Sequence, residues 1–144
     1  MIAGRFTRHP RGLADLPAVS VRVSLPRISA FGSADFVIDT GADASVIHEG
    51  DAFRILPIGY QPEWEASLRG ISTTEVRYAV EPAVLTFVAE SGQEVSVPVE
   101  RLIVAHVGPA QDPLPSLLGR DVLQRFRLVI DPAASLVTLD IQHA

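Results

Sequence analysis

The chain has 144 residues, long enough to bury a substantial core without disulfide or metal staples. Hydrophobic residues make up 47% and charged residues 20%, a globular composition that excludes intrinsic disorder. The absence of cysteine excludes a disulfide framework, a zinc-thiolate site and a cysteine nucleophile, and a formal charge of -5 argues against nucleic-acid or anionic-membrane partners, which need clustered Lys and Arg. No apolar run approaches the roughly 20 residues of a membrane span. Residues 1–12 carry positive charge with no apolar stretch behind it, so no signal peptide is read and the expected location is the cytoplasm.

Residues 1–17 mix Gly, Pro and Arg without periodicity and read as an N-terminal arm; residues 18–144 read as one domain. Val19, Val21, Val23 and Leu25 alternate with Ser20, Arg22 and Ser24, the period-two signature of a half-buried strand. Pro26 to Ser33 is expected as a connection, and 34–39 as a strand whose apolar run points to burial on both faces. A third strand is expected over 44–47, and one helical turn over 51–56 with Asp51 as its cap.

Strands over 63–69 and 74–80 flank Gly70-Ile71-Ser72-Thr73, which fits the turn of a projecting hairpin. A second hairpin, 83–89 and 94–99, turns at Glu90-Ser91-Gly92-Gln93. A strand over 101–107 leads into a proline-rich loop, 108–115. Val122 to Phe126 carries the one short amphipathic helix. Strands over 127–130 and 136–141 close the chain as a hairpin, and 136–141 is the expected interface strand of any dimer. Many short strands, proline-rich turns and one helix indicate an all-β barrel or sandwich.

Candidate chemistry narrows quickly. His9, His48, His106 and His143 are isolated and show no metal-ligand spacing, and no Gly-x-Ser-x-Gly elbow or phosphate-binding loop is present. Neither a metal nor a cofactor is expected. Asp39 remains. Phe36-Val37-Ile38 drives the chain into the core and delivers Asp39 where the strand ends, and Thr40 and Gly41 bend the backbone. A carboxylate on a rigid elbow suits acid/base chemistry, although an ordinary Asp-Thr-Gly turn fits the same three residues. One carboxylate is a poor catalyst of amide hydrolysis, whereas two in contact share a proton and supply both acid and base. Asp-Thr-Gly occurs once, so a dyad requires a second copy of the chain across a two-fold axis.

Asp39-Thr40-Gly41-Ala42-Asp43, followed far downstream by Leu117-Leu118-Gly119-Arg120-Asp121, resembles the retropepsin group of aspartic peptidases. The resemblance spans residues 18 to 141. It implies a homodimeric, closed β-barrel of the acid-protease type with a flap hairpin and a short C-terminal helix. Asp39, Thr40 and Gly41 would form the catalytic triplet, with Thr40 bonding across the dimer axis. Ala42 and Asp43 would bind an extended peptide together with Gly70, Ile71 and Ser72 at the flap tip, where an apolar Ile71 would meet substrate or the other flap. Leu118 and Gly119 would support the loop from beneath, and Arg120 would pair with Asp43; Asp121 is read as the helix's N-terminal cap or as a partner of its dipole. Ser72-Thr73 departs from the glycine-rich tips of viral relatives, and the arm matches none of their interface strands. The expected activity is cleavage of extended polypeptide segments by an activated water at mildly acidic pH. The competing expectation is a non-catalytic dimerisation or peptide-binding module on the same fold.

Overall fold

The structure, a computed structural model, describes residues 1–8, 12, 14–69, 75–105 and 114–141, with the backbone alone over 66–69 and 75–77. In chain order it contains β1 (Ile2–Ala3), β2 (Arg5–Thr7), β3 (Leu16–Leu25), a 3-10 turn (Pro26–Ile28), β4 (Ala30–Ile38) and β5 (Val46–Ile47). Then follow α1 (Glu49–Ile55), β6 (Trp64–Arg69), β7 (Glu75–Val88), β8 (Glu94–Val104), β9 (Ser116–Leu118), α2 (Arg120–Leu123), β10 (Phe126–Asp131) and β11 (Leu136–Ile141).

Six strands close on themselves in the order β3-β4-β9-β5-β8-β7, and the ring is completed where Arg22–Ser24 of β3 meets Val84–Thr86 of β7. The alternation along β3 holds in space: Val19, Val21, Val23 and Leu25 are buried, and Ser20, Arg22 and Ser24 face water. Each inward side chain contributes roughly 1.5–3 kcal/mol relative to exposure. Phe36, Leu85, Phe87, Leu102 and Leu118 fill the same interior. A separate three-stranded sheet, β1-β11-β10, packs against the barrel, and the edge-to-face contact of Phe87 with Phe126 (centroids 5.2 Å apart) joins the two.

Several boundaries differ from expectation, each for a tertiary reason. The arm is partly ordered into strands, since β1 pairs with β11 and β2 with β3. Strands of two and three residues are too short to show a period, and they are templated by their neighbours. Gly4 makes the crossing between them possible, because a Cβ there would lie 2.5 Å from the Ala18 carbonyl oxygen and 2.8 Å from Val137 Cγ1. The connection after β3 is only the 3-10 turn, closed by Ser29 in a left-handed conformation (φ 52°), so β4 begins at Ala30. The strands expected over 74–80 and 83–89 are one, β7, as are those over 94–99 and 101–107 up to Val104. Pro82, which cannot donate to a ladder, sits in a register shift between Glu81 and Ala83 and reads locally as a break. Both helices start two residues earlier than expected, and Asp51 lies inside α1 instead of capping it.

β11 matches its predicted extent; β10 pairs along the whole of one edge, and β1 covers Thr138 and Leu139 on the other. The hairpin tip, including Gly70, Ile71 and Ser72, lies outside the described residues, as do His9, His106 and His143.

Candidate active site

Asp39 stands one residue past the end of β4. Parallel pairing of Phe36, Val37 and Ile38 with Ser116, Leu117 and Leu118 carries the strand to this point, and the Asp39 N–H donates to the Leu118 carbonyl at 3.0 Å. The chain then reverses: the Ala42 N–H donates to the Asp39 carbonyl at 3.2 Å, and the Gly41 N–H donates to Asp39 Oδ1 at 3.0 Å. The carboxylate is thereby aimed by its own loop. Among the described residues nothing bonds Oδ2, and the side chain is half-buried.

Gly41 bends the chain without entering the left-handed region. Its role is one of space, since a Cβ there would approach Asp39 Oδ1 to 3.3 Å. Thr40 and Asp43 are exposed, and the Thr40 hydroxyl has no bond among the described residues.

The underside of the loop rests on the start of α2. The N–H groups of Arg120 and Asp121, which have no partner inside so short a helix, donate to the carbonyls of Ala42 (2.8 Å) and Asp43 (3.3 Å). Gly119 lies so close that a Cβ would sit 2.7 Å from the Ala44 carbonyl carbon and oxygen and 3.0 Å from the Ala42 oxygen. Arg120 forms an ion pair with Asp43 on the surface, an interaction of the class worth at most about 1 kcal/mol.

Three further residues brace the loop and its supports; Ser45 and Ser116 escaped the sequence reading, and Asp121 is expected there only as a helix cap or dipole partner. Ser45 is fully buried; its hydroxyl donates to Asp121 Oδ1 at 2.7 Å and accepts from the Gly119 N–H at 2.9 Å. Asp121 does not cap α2. Its Oδ2 instead accepts from the Ser45 N–H at 3.0 Å, tying the far leg of the Asp39 loop to the helix. No local signal marks a pair separated by that much chain. Ser116 is a third such residue: its hydroxyl accepts from the His48 N–H (3.1 Å) and donates to Asp51 Oδ2 (2.6 Å), bolting α1 to β9.

His48 itself is buried, and desolvation pushes its pKa below the ordinary histidine value despite the opposing charges of Glu49 and Asp51. It packs edge-on against Tyr78 as a core histidine. Among the described residues no cluster of His, Asp or Glu is placed to hold a metal ion. The groups gathered around Asp39 are therefore backbone amides, hydroxyls and a surface ion pair, an arrangement suited to holding one carboxylate still.

A closed six-stranded barrel that presents a single braced Asp-Thr-Gly loop beside a Leu-Leu-Gly strand has the retropepsin-like acid-protease fold. The family model described as retroviral aspartyl protease matches residues 14–131, most of the chain, and the chain belongs to that family. Among solved structures it is similar to EIAV protease complexed with the inhibitor HBY-793, at 21% identity over 82% of this chain and 92% of that one, with a TM-score of 0.40. Comparison with the curated proteins found no match.

Proposed function

We propose that the protein is an aspartic endopeptidase that hydrolyses peptide bonds in extended polypeptide segments, using a water held between the Asp39 carboxyls of two identical subunits. The observation that carries this reading is the Asp39 loop: one carboxylate oxygen anchored to the Gly41 N–H, the other open, on a loop bonded from beneath by α2 and β9. Family membership supports the same chemistry.

Two such carboxyls in contact cannot both ionise, a coupling for which aspartic proteases are the standard illustration. The ionised one takes a proton from the water as its oxygen attacks the amide carbon, and the protonated one gives its proton to the carbonyl oxygen. The tetrahedral diol then collapses and the C–N bond breaks. The amine nitrogen takes the proton held by the carboxyl that received it from water. One diol hydroxyl gives its proton to the other carboxylate as it becomes the carbonyl of the new acid, which restores the shared proton. Ala42, Asp43 and the hairpin tip at Gly70, Ile71 and Ser72 would hold the peptide, with the tip excluding water. Thr40 is exposed, and its hydroxyl, without a bond among the described residues, is available to bond across the axis.

The sheet edges favour a particular dimer. With β11 paired along all of one edge and partly along the other, β10 offers the longer unpaired edge of its sheet among the described residues, β1 having only two residues. Antiparallel pairing of two β10 strands about Val129 would set Arg127 opposite Asp131 of the other copy twice over, and Leu128 opposite Ile130. Arg127 and Asp131 are exposed and have no ionic partner among the described residues. Four residues apart on one strand, about 13 Å, they cannot neutralise each other.

The test is incubation with a diverse peptide library at several pH values, comparing wild type with Asp39→Asn. Cleavage at mildly acidic pH that disappears in the folded variant is expected. Cleavage by the purified variant would remove the proposal, and binding without cleavage across the pH range would select the peptide-binding module instead.

A further inference from the structure

The hairpin formed by β6 and β7 is joined by six rungs, from Arg69 opposite Glu75 down to Trp64 opposite Val80. The next positions below the last rung are Glu63 and Glu81, two like charges at the foot of the hairpin. Arg27, from the 3-10 turn after β3, reaches both. Its Nε and Nη2 donate to Glu81 Oε1 and Oε2 at 2.8 and 2.6 Å, and its Nη1 lies 3.4 Å from Glu63 Oε2. Nη2 also lies 3.4 Å from the Gln61 carbonyl, and the Tyr60 hydroxyl donates to Glu81 Oε2. The Glu81 side chain is wholly inaccessible to solvent, while that of Glu63 is 55% exposed.

The location of this cluster is what matters. β7 pairs with β8 on both sides of the Pro82 irregularity, over Ala79–Glu81 and again from Ala83, and beyond it with β3 as well. Among the described residues, 75–78 pair with β6 alone and project past the end of β8. The hairpin is thus joined to the barrel through one edge of β7, over three residues just above an irregular stretch. Arg27 extends from the barrel and binds the residue at the base of each arm.

We infer that Arg27 and Glu81 are positioning residues: a bidentate clamp that sets the tilt of the β6–β7 hairpin on the barrel. The consequence for substrate rests on the peptidase reading; the clamp itself does not. Leverage makes small changes at the foot large at the far end of the ladder. Six residue steps at roughly 3.3 Å each put the Arg69–Glu75 rung about 20 Å from Glu81, so a tilt of ~5° displaces it by ~2 Å. Displacements of about 1 Å can cost on the order of 100-fold in rate. Without Arg27, Glu63 and Glu81 face each other at the foot, a like-charge pairing that splays strands.

The experiment is backbone hydrogen exchange on the full chain, comparing wild type, Arg27→Lys and the double variant Arg27→Met/Glu81→Gln. The double variant removes both charges together, so no unpaired buried charge is left to unfold the barrel. Its β6 amides and those of 75–80 should exchange about tenfold faster, with β3 and β4 amides nearly unchanged. Arg27→Lys, which keeps the charge but loses the fork, should fall between. In peptide cleavage the double variant should raise KM several-fold more than it lowers kcat. Unchanged hairpin exchange, or equal loosening of the hairpin and barrel, would overturn the inference. Absence of wild-type cleavage would instead count against the peptidase reading, since the exchange result stands without turnover. Asp39→Asn should abolish cleavage and leave hairpin exchange as in wild type.

Discussion

At Gly119 one added methyl group decides whether the Asp39 loop keeps its place. The atoms a Cβ would meet are the Ala44 carbonyl carbon and oxygen at 2.7 Å, and these are backbone atoms that cannot rotate aside. Gly119→Ala should therefore lower stability by about 1–3 kcal/mol, read as a drop in the thermal midpoint, and should reduce cleavage by shifting the loop. Gly41 poses a milder version of the problem, because the atom it would meet at 3.3 Å is the Asp39 carboxylate oxygen itself. Gly41→Ala should leave the fold largely intact and impair cleavage selectively, so thermal melts and kinetics on the two variants separate scaffold from site.

Among elements, the 3-10 turn, the segment before β6 and the strand β7 converge on Glu81. Burial alone would raise its pKa, but hydrogen bonds from Arg27 and Tyr60 and the Arg27 charge outweigh burial and hold it below the ordinary value of 4.5. A carboxyl whose folded pKa is depressed stabilises the fold above its unfolded pKa, and loses that contribution as pH falls through the folded one. The groups facing it are Arg27 and Tyr60, with Glu63 on the far side of Arg27. Glu81→Gln should thus melt below wild type at neutral pH, and the gap should narrow as the pH drops beneath about 4.5. A gap that stays constant with pH would show that charge has no part in the clamp.

For the whole molecule, one chain supplies one Asp-Thr-Gly, so the proposed chemistry is inseparable from assembly. Sedimentation under active conditions should give a species near twice 15.5 kDa. If β10 pairs with itself about Val129, Arg127→Asp alone or Asp131→Arg alone places like charges opposite each other and should weaken the dimer. The double exchange, Arg127→Asp with Asp131→Arg, restores opposite charges and should recover much of the assembly. Equal weakening in all three variants would argue for a different interface.

What the sequence determined by itself is local. The alternation from Val19 to Leu25, the apolar run into Asp39, the polar turns and the last hairpin are set by side-chain period and backbone preference within a few residues, and β3, the end of β4 and β11 can be read from them. Proline misled at residue 82, because its missing donor marks a strand end unless a distant partner strand shifts register around it. Tertiary structure alone decided what lies far apart in the chain. Ser45 meets Asp121, Arg27 meets Glu81, and β1 finds β11 at Thr138 and Leu139. Each of those contacts forms only when closure of the ring brings together segments that no short-range pattern connects, so they become visible only once the chain has folded.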